Sequence, residues 1–366
     1  MKKKRIVVKI GSSSLTNDQG EIDQTKFMDH VYALAALKKA KHEVILVSSG
    51  AVAAGFKKLG YPTRPVTVKG RQAAAAVGQS LLIQLYSEKL SEFHIVPAQL
   101  LLTRSDFADR SRFRNAFATI TELLDRGLLP IINENDTVAV DELTFGDNDM
   151  LSSLVSGFIH ADMLIILTDI NGLYDSNPQT NPHAKRFDKI EEITDELLAL
   201  ANGTGSKVGT GGMKSKLLAA KTALSLGVPV FIGKGEGTDK LLQILKGCGD
   251  GTYITNESLG SINAIRQWIA LHSETSGKIY VDEGAEEAIL YRGSSLLPAG
   301  VDQVKGTFQK GDVVEVFGVS GLLGRGEVEC SADELRDFIQ SKRANINKRT
   351  LIPTVEVIHR NRWVSV

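Results

Sequence analysis

Short runs of β-branched and other apolar residues alternate with helical patterns over about the first 270 residues of this chain. Most of these runs are apolar at consecutive positions, which is typical of strands buried on both faces of a parallel sheet. Alternation of such strands with helices predicts an α/β fold, an open and mainly parallel sheet sandwiched by helices. The predicted strands lie at residues 5–10, 43–49, 95–101, 129–133, 163–169 and 229–233.

Two of the intervening segments have apolar residues at helical spacing. In residues 113–124, phenylalanine, isoleucine and leucine recur at intervals of three and four, and residues 150–158 repeat at intervals of four. This spacing places the apolar side chains on one face of each helix. Ligands of open α/β sheets bind beyond the carboxyl ends of the strands, so the residues that follow each strand are the first candidates for a site.

Small and polar residues follow four of the predicted strands. They are Gly11–Ser14, Ser48–Ala51, Asn133–Asp136 and Thr168–Asp169. Glycine and serine let the backbone approach a ligand and offer N–H groups to an anion. Turns between strands and helices are often glycine-rich for structural reasons alone, but recurrence at four strand ends indicates a ligand site.

A glycine-rich stretch, GTGSKVGTGGMKSK, occupies residues 203–216 and contains five glycines and three lysines. It has neither the Walker A spacing nor the G-x-G-x-x-G spacing of dinucleotide-binding loops. A flexible linker is the alternative reading. The lysines, and a helical pattern that starts directly behind the stretch at Leu217, favour an anion site where free N–H groups and the helix dipole point the same way.

Composition excludes several classes of function. Lysine plus arginine equals aspartate plus glutamate, 43 each, so no global field attracts nucleic acid or an acidic membrane. Cys248 and Cys330 form neither a metal-type spacing nor a disulfide framework, which favours a reducing, cytoplasmic compartment. The N-terminal apolar run stops at Lys9, too early for a signal-peptide core, and no run is long enough to span a membrane.

The pattern changes from about residue 277. Strand-like runs KIYVD, VVEVFG, GEVEC and PTVEVIH alternate with glycine-rich turns, which predicts a small mixed β-barrel. We therefore expect one domain over residues 1–260, a helical junction over 261–276 and a second domain over 277–366.

Six motifs, in this order, carry a resemblance to a known family: VVKIGSSSLT, VSSGAVAAG, INENDTVA, FGDNDMLS, LTDINGLYDSNP and GTGGMKSKLLAA. Together they resemble the amino acid kinase superfamily, and within it the members that phosphorylate the γ-carboxylate of L-glutamate with ATP, the first step of proline biosynthesis. No one motif is specific, but INEND, GDND and the glycine loop are highly specific in combination. The blocks VDEGAEEAILYRGSSLLPAGV and GTFQKGDVVEVFG resemble a PUA domain.

The resemblance implies roles for individual residues. Lys9 and Lys216 would contact the transferring phosphoryl group, with Asp149 holding both ammonium groups as the third catalytic residue. The acceptor amino acid would bind at Ser49, Gly50, Asp136 and Asn148. The nucleotide would bind at Lys9, Thr168, Asp169, Thr210, Gly211, Gly212, Met213, Lys214, Ser215 and Lys216.

Two of these positions have simpler readings. A lysine within an apolar strand, such as Lys9, also occurs in edge strands or where the side chain snorkels to the surface. Gly11 and Ser12 follow Lys9 after a single residue, which favours the functional reading. The segment Asn133–Asp136 has the composition of a helix N-cap or an Asx-turn, so its functional reading depends on the resemblance.

The resemblance also implies cofactors and partners. These are ATP and Mg²⁺, the metal held by phosphate oxygens and water without a protein ligand, L-glutamate as substrate, and proline as a feedback inhibitor. A homo-oligomer, dimer or tetramer, and a downstream glutamyl phosphate reductase are further expected partners. One alternative is a sibling kinase acting on another carboxylate or phosphate. The other is an RNA-binding PUA protein, which the formal charge of −1 over residues 277–366 does not favour.

Overall fold

A computed structural model of the chain describes residues 2–139, 148–176, 178, 180–201, 212–256, 275–343 and 356–365. The chain divides into two compact units. The first comprises Met1–Asp106 and Arg114–Ser261, and the second comprises Ile262–Val366 together with Phe107–Phe113. The predicted helical junction falls largely on residues 257–274, outside the described residues, and the proposed domain boundaries remain a prediction.

The first unit contains an eight-stranded sheet in the order β3-β4-β2-β1-β5-β9-β10-β8. In this spatial order, the six strands β3, β4, β2, β1, β5 and β9 each pair in parallel with the next. Strand β10 runs antiparallel to β9, and β8 runs parallel to β10. Two further strands form a small hairpin-like pair. The strands are β1 Arg5–Ile10, β2 Glu43–Ser48, β3 Pro97–Leu102, β4 Leu129–Glu134, β5 Met163–Leu167, β6 Leu173–Tyr174, β7 Arg186–Phe187, β8 Lys189–Ile190, β9 Val230–Gly233 and β10 Gly251–Ile254.

Helices connect these strands, as the parallel pairing requires. The pattern at residues 113–124 lies within one of them and the pattern at 150–158 within another. The helices of this part are α1 Gln24–Lys39, α2 Ala51–Gly55, α3 Val68–Ser91, α4 Arg104–Ala108, α5 Arg110–Asp125, α6 Asn148–Phe158, α7 Asp195–Leu200, α8 Met213–Ser225 and α9 Lys240–Leu245.

The two faces of β1 show how the sheet is sandwiched. Ile6, Val8 and Ile10 belong to a buried cluster with apolar residues of α1, α3 and α9. Side chains alternate along a strand, so Val7 and Lys9 point to the opposite face, where α6 packs. Lys9 is therefore buried in the middle of the sheet, at the carboxyl end of a central strand.

Helices α2 and α3 approach each other unusually closely through small residues. A Cβ atom added at Gly78 would lie 1.8 Å from the Ala51 carbonyl oxygen, and one at Gly55 would lie 2.0 Å from the Ala74 carbonyl oxygen. Only glycine allows this backbone contact. It holds the segment that follows β2 against α3, so the loop at Ser49 and Gly50 is anchored.

The second unit contains a five-stranded mixed sheet in the order β12-β11-β13-β14-β15. Here β11 pairs with β13 in parallel, and the other neighbours are antiparallel. Its buried core includes Ile279, Val314, Val316 and Leu335. The elements are β11 Thr275–Val281, α10 Glu283–Leu290, β12 Val301–Gly306, β13 Val313–Gly318, β14 Gly321–Val328, α11 Ala332–Arg343 and β15 Ile358–Ser365.

The predicted fold class is confirmed in both parts. All six predicted strands of the first part are present, and no strand end is shifted by more than two residues. The helix predicted to start at Leu217 is present, but its predicted start is too late. The helix α8 begins at Met213 and includes Lys214, Ser215 and Lys216 in its first turn. Within the described ranges, no helix combines the length and apolar character needed to cross a membrane.

Candidate active site

One carboxylate joins the two predicted catalytic lysines. Asp149 Oδ1 lies 2.6 Å from Lys9 Nζ, and Asp149 Oδ2 lies 3.2 Å from Lys216 Nζ. The side chains of Lys9 and Asp149 are each 1% exposed, and that of Lys216 is 9% exposed. The Lys9 contact is an ion pair, and Lys216 Nζ also donates a hydrogen bond to Asp149 Oδ2. Such contacts are strong where water is excluded, so the two ammonium groups are held in fixed positions.

Each member of this cluster comes from a different element. Lys9 is the fifth residue of β1, Asp149 lies in the first turn of α6, and Lys216 lies in the first turn of α8. The positive end of the α6 dipole stabilises a carboxylate at Asp149. The alternative readings of Lys9 are wrong, because β1 is central in the sheet and the ammonium group is buried.

The beginning of α8 is suited to an anion. Gly212 is its N-cap and has no side chain to cap the helix, and the Ser215 N–H donates to the Gly212 carbonyl oxygen at 3.2 Å. The N–H groups of Met213 and Lys214 have no partner among the described residues and can bind a ligand. Ser215 Oγ lies 2.9 Å from Asp149 Oδ2 and donates to it, which ties this turn to the lysine cluster. Lys214 is exposed and Met213 is buried. Two other predicted nucleotide contacts, Thr210 and Gly211, lie outside the described residues.

Gly11 lies beside the Lys9 ammonium group. A Cβ atom at this position would lie 3.4 Å from Lys9 Nζ and 3.7 Å from the Leu167 carbonyl oxygen. The φ angle of Gly11 is −73°, which any residue can adopt. The absence of a side chain therefore leaves room beside the ammonium group rather than serving a turn.

Asn148, next to Asp149 in the chain, faces a second group of residues. Its Nδ2 donates to the Ser48 carbonyl oxygen at 3.0 Å, to Ser49 Oγ at 3.0 Å and to Asn133 Oδ1 at 2.7 Å. These partners lie at the carboxyl ends of β2 and β4, which are adjacent strands. Two consecutive residues of the GDND motif thus have different contacts: Asp149 binds the two lysines, and Asn148 binds the ends of β2 and β4.

The Ser49–Gly50 turn differs in one detail from expectation. The Ser49 N–H donates to the Ile10 carbonyl oxygen at 3.2 Å, so it is not available to a ligand. Gly50 has a φ of 107°, in the left-handed region that favours glycine, and its N–H has no partner among the described residues. Of the two N–H groups expected here, the one at Gly50 can bind a substrate.

Asp136 lies after β4, in a turn where the Asn135 carbonyl oxygen accepts from Val138 and Ala139 N–H groups. Burial raises the pKa of the Asp136 carboxyl to about 6. A carboxylate in such surroundings gains from a cation, and an amino group of a ligand would supply one.

Thr168 and Asp169 follow β5, the strand beside β1. Thr168 is buried, Asp169 is exposed, and Thr168 Oγ1 donates to Asp169 Oδ1 at 3.0 Å. A small cavity of about 30 Å³ lies behind them, and Leu173, Leu197 and Met213 are among its lining residues. The cavity adjoins the first turn of α8 through Met213, but at about 30 Å³ it is far smaller than a pocket that holds a nucleotide base.

Sequence reasoning missed two supporting residues. Tyr86, in α3, is fully buried, and its hydroxyl lies 3.0 Å from Ser48 Oγ; burial raises its pKa. Asn133 belongs to the segment Asn133–Asp136, which the sequence predicts as part of a ligand site or as a cap, but no role is predicted for its side chain, which contacts Asn148 directly. A polar residue at the end of a predicted buried strand was the only signal for Asn133, and the sequence gives none for Tyr86.

Two buried lysines on one carboxylate, beside an anion-binding helix start, define a phosphotransferase site in an open α/β fold. The sequence profile of the amino acid kinase family matches residues 4–234, and that of the PUA domain matches residues 277–350. The chain belongs to the amino acid kinase family and carries a PUA domain.

Several relatives are similar over the whole chain. Glutamate 5-kinase 1 of Bacillus licheniformis is 68% identical over 366 residues, with 100% of each chain covered. Glutamate 5-kinase 1 of Bacillus subtilis strain 168 is 62% identical over the same length and coverage. Glutamate 5-kinase of Bacillus anthracis is 58% identical over 366 residues, again with 100% of each chain covered.

Proposed function

We propose that this chain transfers the γ-phosphoryl group of ATP to the γ-carboxylate of L-glutamate, forming L-glutamyl 5-phosphate in the first step of proline biosynthesis. The observation that carries the proposal is the contact of Asp149 with both Lys9 and Lys216, beside the amide of Asn148. Relatives named glutamate 5-kinase, 58–68% identical over the full chain, support the choice of acceptor.

Lys9 and Lys216 neutralise the negative charge that spreads over the transferring phosphoryl group. Phosphoryl transfer depends mainly on positioning and charge neutralisation, and buried ammonium groups do both. Asp149 contacts the two ammonium groups with separate oxygens and orients them toward the phosphoryl group. The first turn of α8, from Gly212 to Lys216, binds the phosphate chain, while Thr168 and Asp169 bind the nucleotide near the cavity lined by Met213.

The acceptor carboxylate needs no general base. A glutamate side chain has a pKa of about 4.3, so it is already ionised at neutral pH and can attack directly. Gly50 N–H and Ser49 Oγ would donate to carboxylate oxygens, and Asp136 would take the ammonium group. Asn148 contacts Ser49 Oγ and is the chain neighbour of Asp149 in the lysine cluster.

Mg²⁺ would enter with the triphosphate and be held by its oxygens and by water. The described carboxylate at the centre of the site, Asp149, already contacts two ammonium groups, so it fits a role in aiming them better than a role as a metal ligand. Among the described residues no group of three or more histidine, cysteine, aspartate or glutamate side chains could hold a metal ion.

Further proposals follow from this function. Proline, which carries an ammonium and a carboxylate like glutamate, would inhibit at an overlapping site. Water destroys acyl phosphates, so a reductase that takes the product promptly is a fitting partner. We also propose a cytoplasmic location and a homo-oligomer, dimer or tetramer. No RNA or membrane partner is proposed.

The test is trapping of the acyl phosphate. Purified protein with ATP, Mg²⁺ and L-glutamate should produce a hydroxamate when hydroxylamine is present, and proline should suppress it. Aspartate and N-acetylglutamate run in parallel. Hydroxamate with another acceptor but not with glutamate would indicate a sibling kinase. No product with any acceptor, from folded protein that binds ATP, would contradict the proposed function.

A further inference from the structure

The orientation of the Asn133 side-chain amide is fixed by the backbone. The Glu134 N–H lies 2.9 Å from Asn133 Oδ1 and can only donate, so that atom must be the oxygen. The amide nitrogen therefore points the other way. It lies 2.7 Å from Gln79 Oε1, a side chain of α3, which accepts the hydrogen bond.

The Asn148 amide is fixed in the same way. Its nitrogen faces the Ser48 carbonyl oxygen, which can only accept, and the Asn133 oxygen. Asn148 Oδ1 must therefore point away from both. This oxygen is buried and has no hydrogen-bond partner among the described residues. A buried acceptor without a donor is costly, so the site is prepared for a donor from outside the chain.

We infer that Gln79 is a positioning residue for the acceptor amino acid. Through Asn133 it holds the Asn148 amide with Oδ1 facing the substrate, where that oxygen accepts from the ammonium group. The inference rests on the proposed function, since it takes Asn148 as a contact of the acceptor. Gln79 belongs to none of the motifs that indicated the site and is 54 residues from Asn133 in the chain.

The energetic reason lies in the burial of Asn133, which is 2% exposed. Without an acceptor at position 79, one N–H of the Asn133 amide loses its partner in a place that excludes water. The Glu134 N–H still donates to Asn133 Oδ1, so the amide does not turn over; it tilts toward another acceptor and weakens the 2.7 Å hydrogen bond between Asn148 Nδ2 and Asn133 Oδ1. The Asn148 amide then keeps only its contacts with Ser48 and Ser49, and its Oδ1 is held less firmly in one direction.

The experiment compares two variants of Gln79 in the full chain. Gln79→Met keeps the length of the side chain and removes the acceptor, whereas Gln79→Glu keeps an acceptor. We expect Gln79→Met to raise the KM for glutamate about tenfold, with kcat and the KM for ATP nearly unchanged. We expect Gln79→Glu to keep a KM close to that of the parent. Gln84→Met, an exposed glutamine of the same helix, is the matched control.

A merely structural role would give a different result. Equal losses in kcat and both KM values, or equal losses in the Met and Glu variants, would overturn the inference, as would an unchanged KM in Gln79→Met. In an Asn133→Ala background, Gln79→Met should have no further effect on KM; an additive effect would also overturn it. Asn148→Ala tests the proposed acceptor site separately from the role of Gln79. An unchanged KM for glutamate in this variant would contradict the proposed acceptor site itself, whatever Gln79 does.

Discussion

Asp149 Oδ1 lies 2.6 Å from Lys9 Nζ, and both side chains are almost completely buried. The other oxygen of the same carboxylate contacts Lys216. Two cations that would repel each other are thus held side by side by one anion, in a place with little water to screen them. The cluster is stable only while all three members are charged, which links the stability of the first unit to its chemistry.

The variant Asp149→Asn tests this link. It leaves two buried ammonium groups without their counter-charge, and breaking a buried ion pair from one side costs about 3–5 kcal/mol. We expect a loss of that size in the free energy of unfolding, measured with urea, together with a large fall in kcat. Asp195→Asn breaks an exposed contact of 3.5 Å with Lys221 and should change stability by less than about 1 kcal/mol. Equal stability of the two variants would contradict a structural role for the cluster.

Lys216→Ala tests the proposed charge neutralisation. Loss of one preorganised contact to a developing charge typically lowers kcat by about 10²–10³-fold, and we expect at least that effect in the hydroxamate assay. Lys216→Arg should not restore activity, since a planar guanidinium cannot replace a point charge in a closed site. Lys221→Ala, exposed on the same helix, is the control. Activity of Lys216→Ala close to that of the control would sink the assignment.

Much of this site follows from patterns local to the chain. Buried strands are runs of consecutive apolar residues, so their positions can be predicted. Because the carboxyl ends of parallel strands meet on one side of the sheet, Lys9, Ser49 and Thr168 are expected to lie near one another there. The roles of Asp149 and Asn148 depended on a family resemblance, because a carboxylate and an amide at a helix start also fit ordinary capping.

Other features could not be predicted, because they depend on contacts between distant segments. Gln79 and Tyr86 lie in the middle of α3, where nothing in the local pattern distinguishes a polar contact from a solvated position. The sequence places the start of α8 too late because the apolar helical spacing begins only at Leu217 and glycines stand directly before Met213. In the fold, Met213 and Lys216 are buried, and Ser215 connects the turn to Asp149.

Gly11→Ala tests whether the space beside Lys9 is used. The backbone at φ −73° accepts alanine, so we expect little change in the free energy of unfolding. The added methyl group would lie 3.4 Å from Lys9 Nζ, in the space that the proposed function assigns to the phosphoryl group. The KM for ATP should therefore rise, or kcat should fall, by about tenfold or more. Gly284→Ala, where a Cβ has room, is the control; parallel behaviour of the two variants in the kinetic assay would show that the space is not needed.

Gly78→Ala tests the contact between α2 and α3. Alanine is the better helix former by about 1 kcal/mol, but its Cβ would lie 1.8 Å from the Ala51 carbonyl oxygen, so α2 must move. We expect a net destabilisation of about 1–3 kcal/mol and a raised KM for glutamate, since α2 begins directly after Gly50. Ser80→Ala, exposed on the same helix, should change neither quantity appreciably. A stabilised Gly78→Ala protein would mean that α2 is not anchored by this contact.

The raised pKa of Asp136 makes both stability and substrate binding depend on pH. Burial lifts the pKa of this carboxyl from its ordinary value of 3.8 to about 6, so the folded protein holds the proton more tightly than the unfolded chain. The stabilising contribution is complete below pH 3.8 and is lost as the pH rises through 6. In urea unfolding, Asp136→Asn should therefore gain stability relative to the parent above pH 6. The affinity for glutamate should instead increase as the pH rises.

In the proposed acceptor site, only the ionised Asp136 carboxylate would attract the ammonium group of glutamate. The KM for glutamate should fall in the parent as the pH rises from about 5 to about 7, because the carboxylate forms across that window. In Asp136→Asn the KM should be high and independent of pH over the same range, because the amide does not titrate. Asp125→Asn, at an exposed position, should follow the parent. If Asp136→Asn kept the pH profile of the parent, the ammonium of the acceptor would have to be bound by another residue, and the acceptor site proposed around Asp136 and Asn148 would have to be moved.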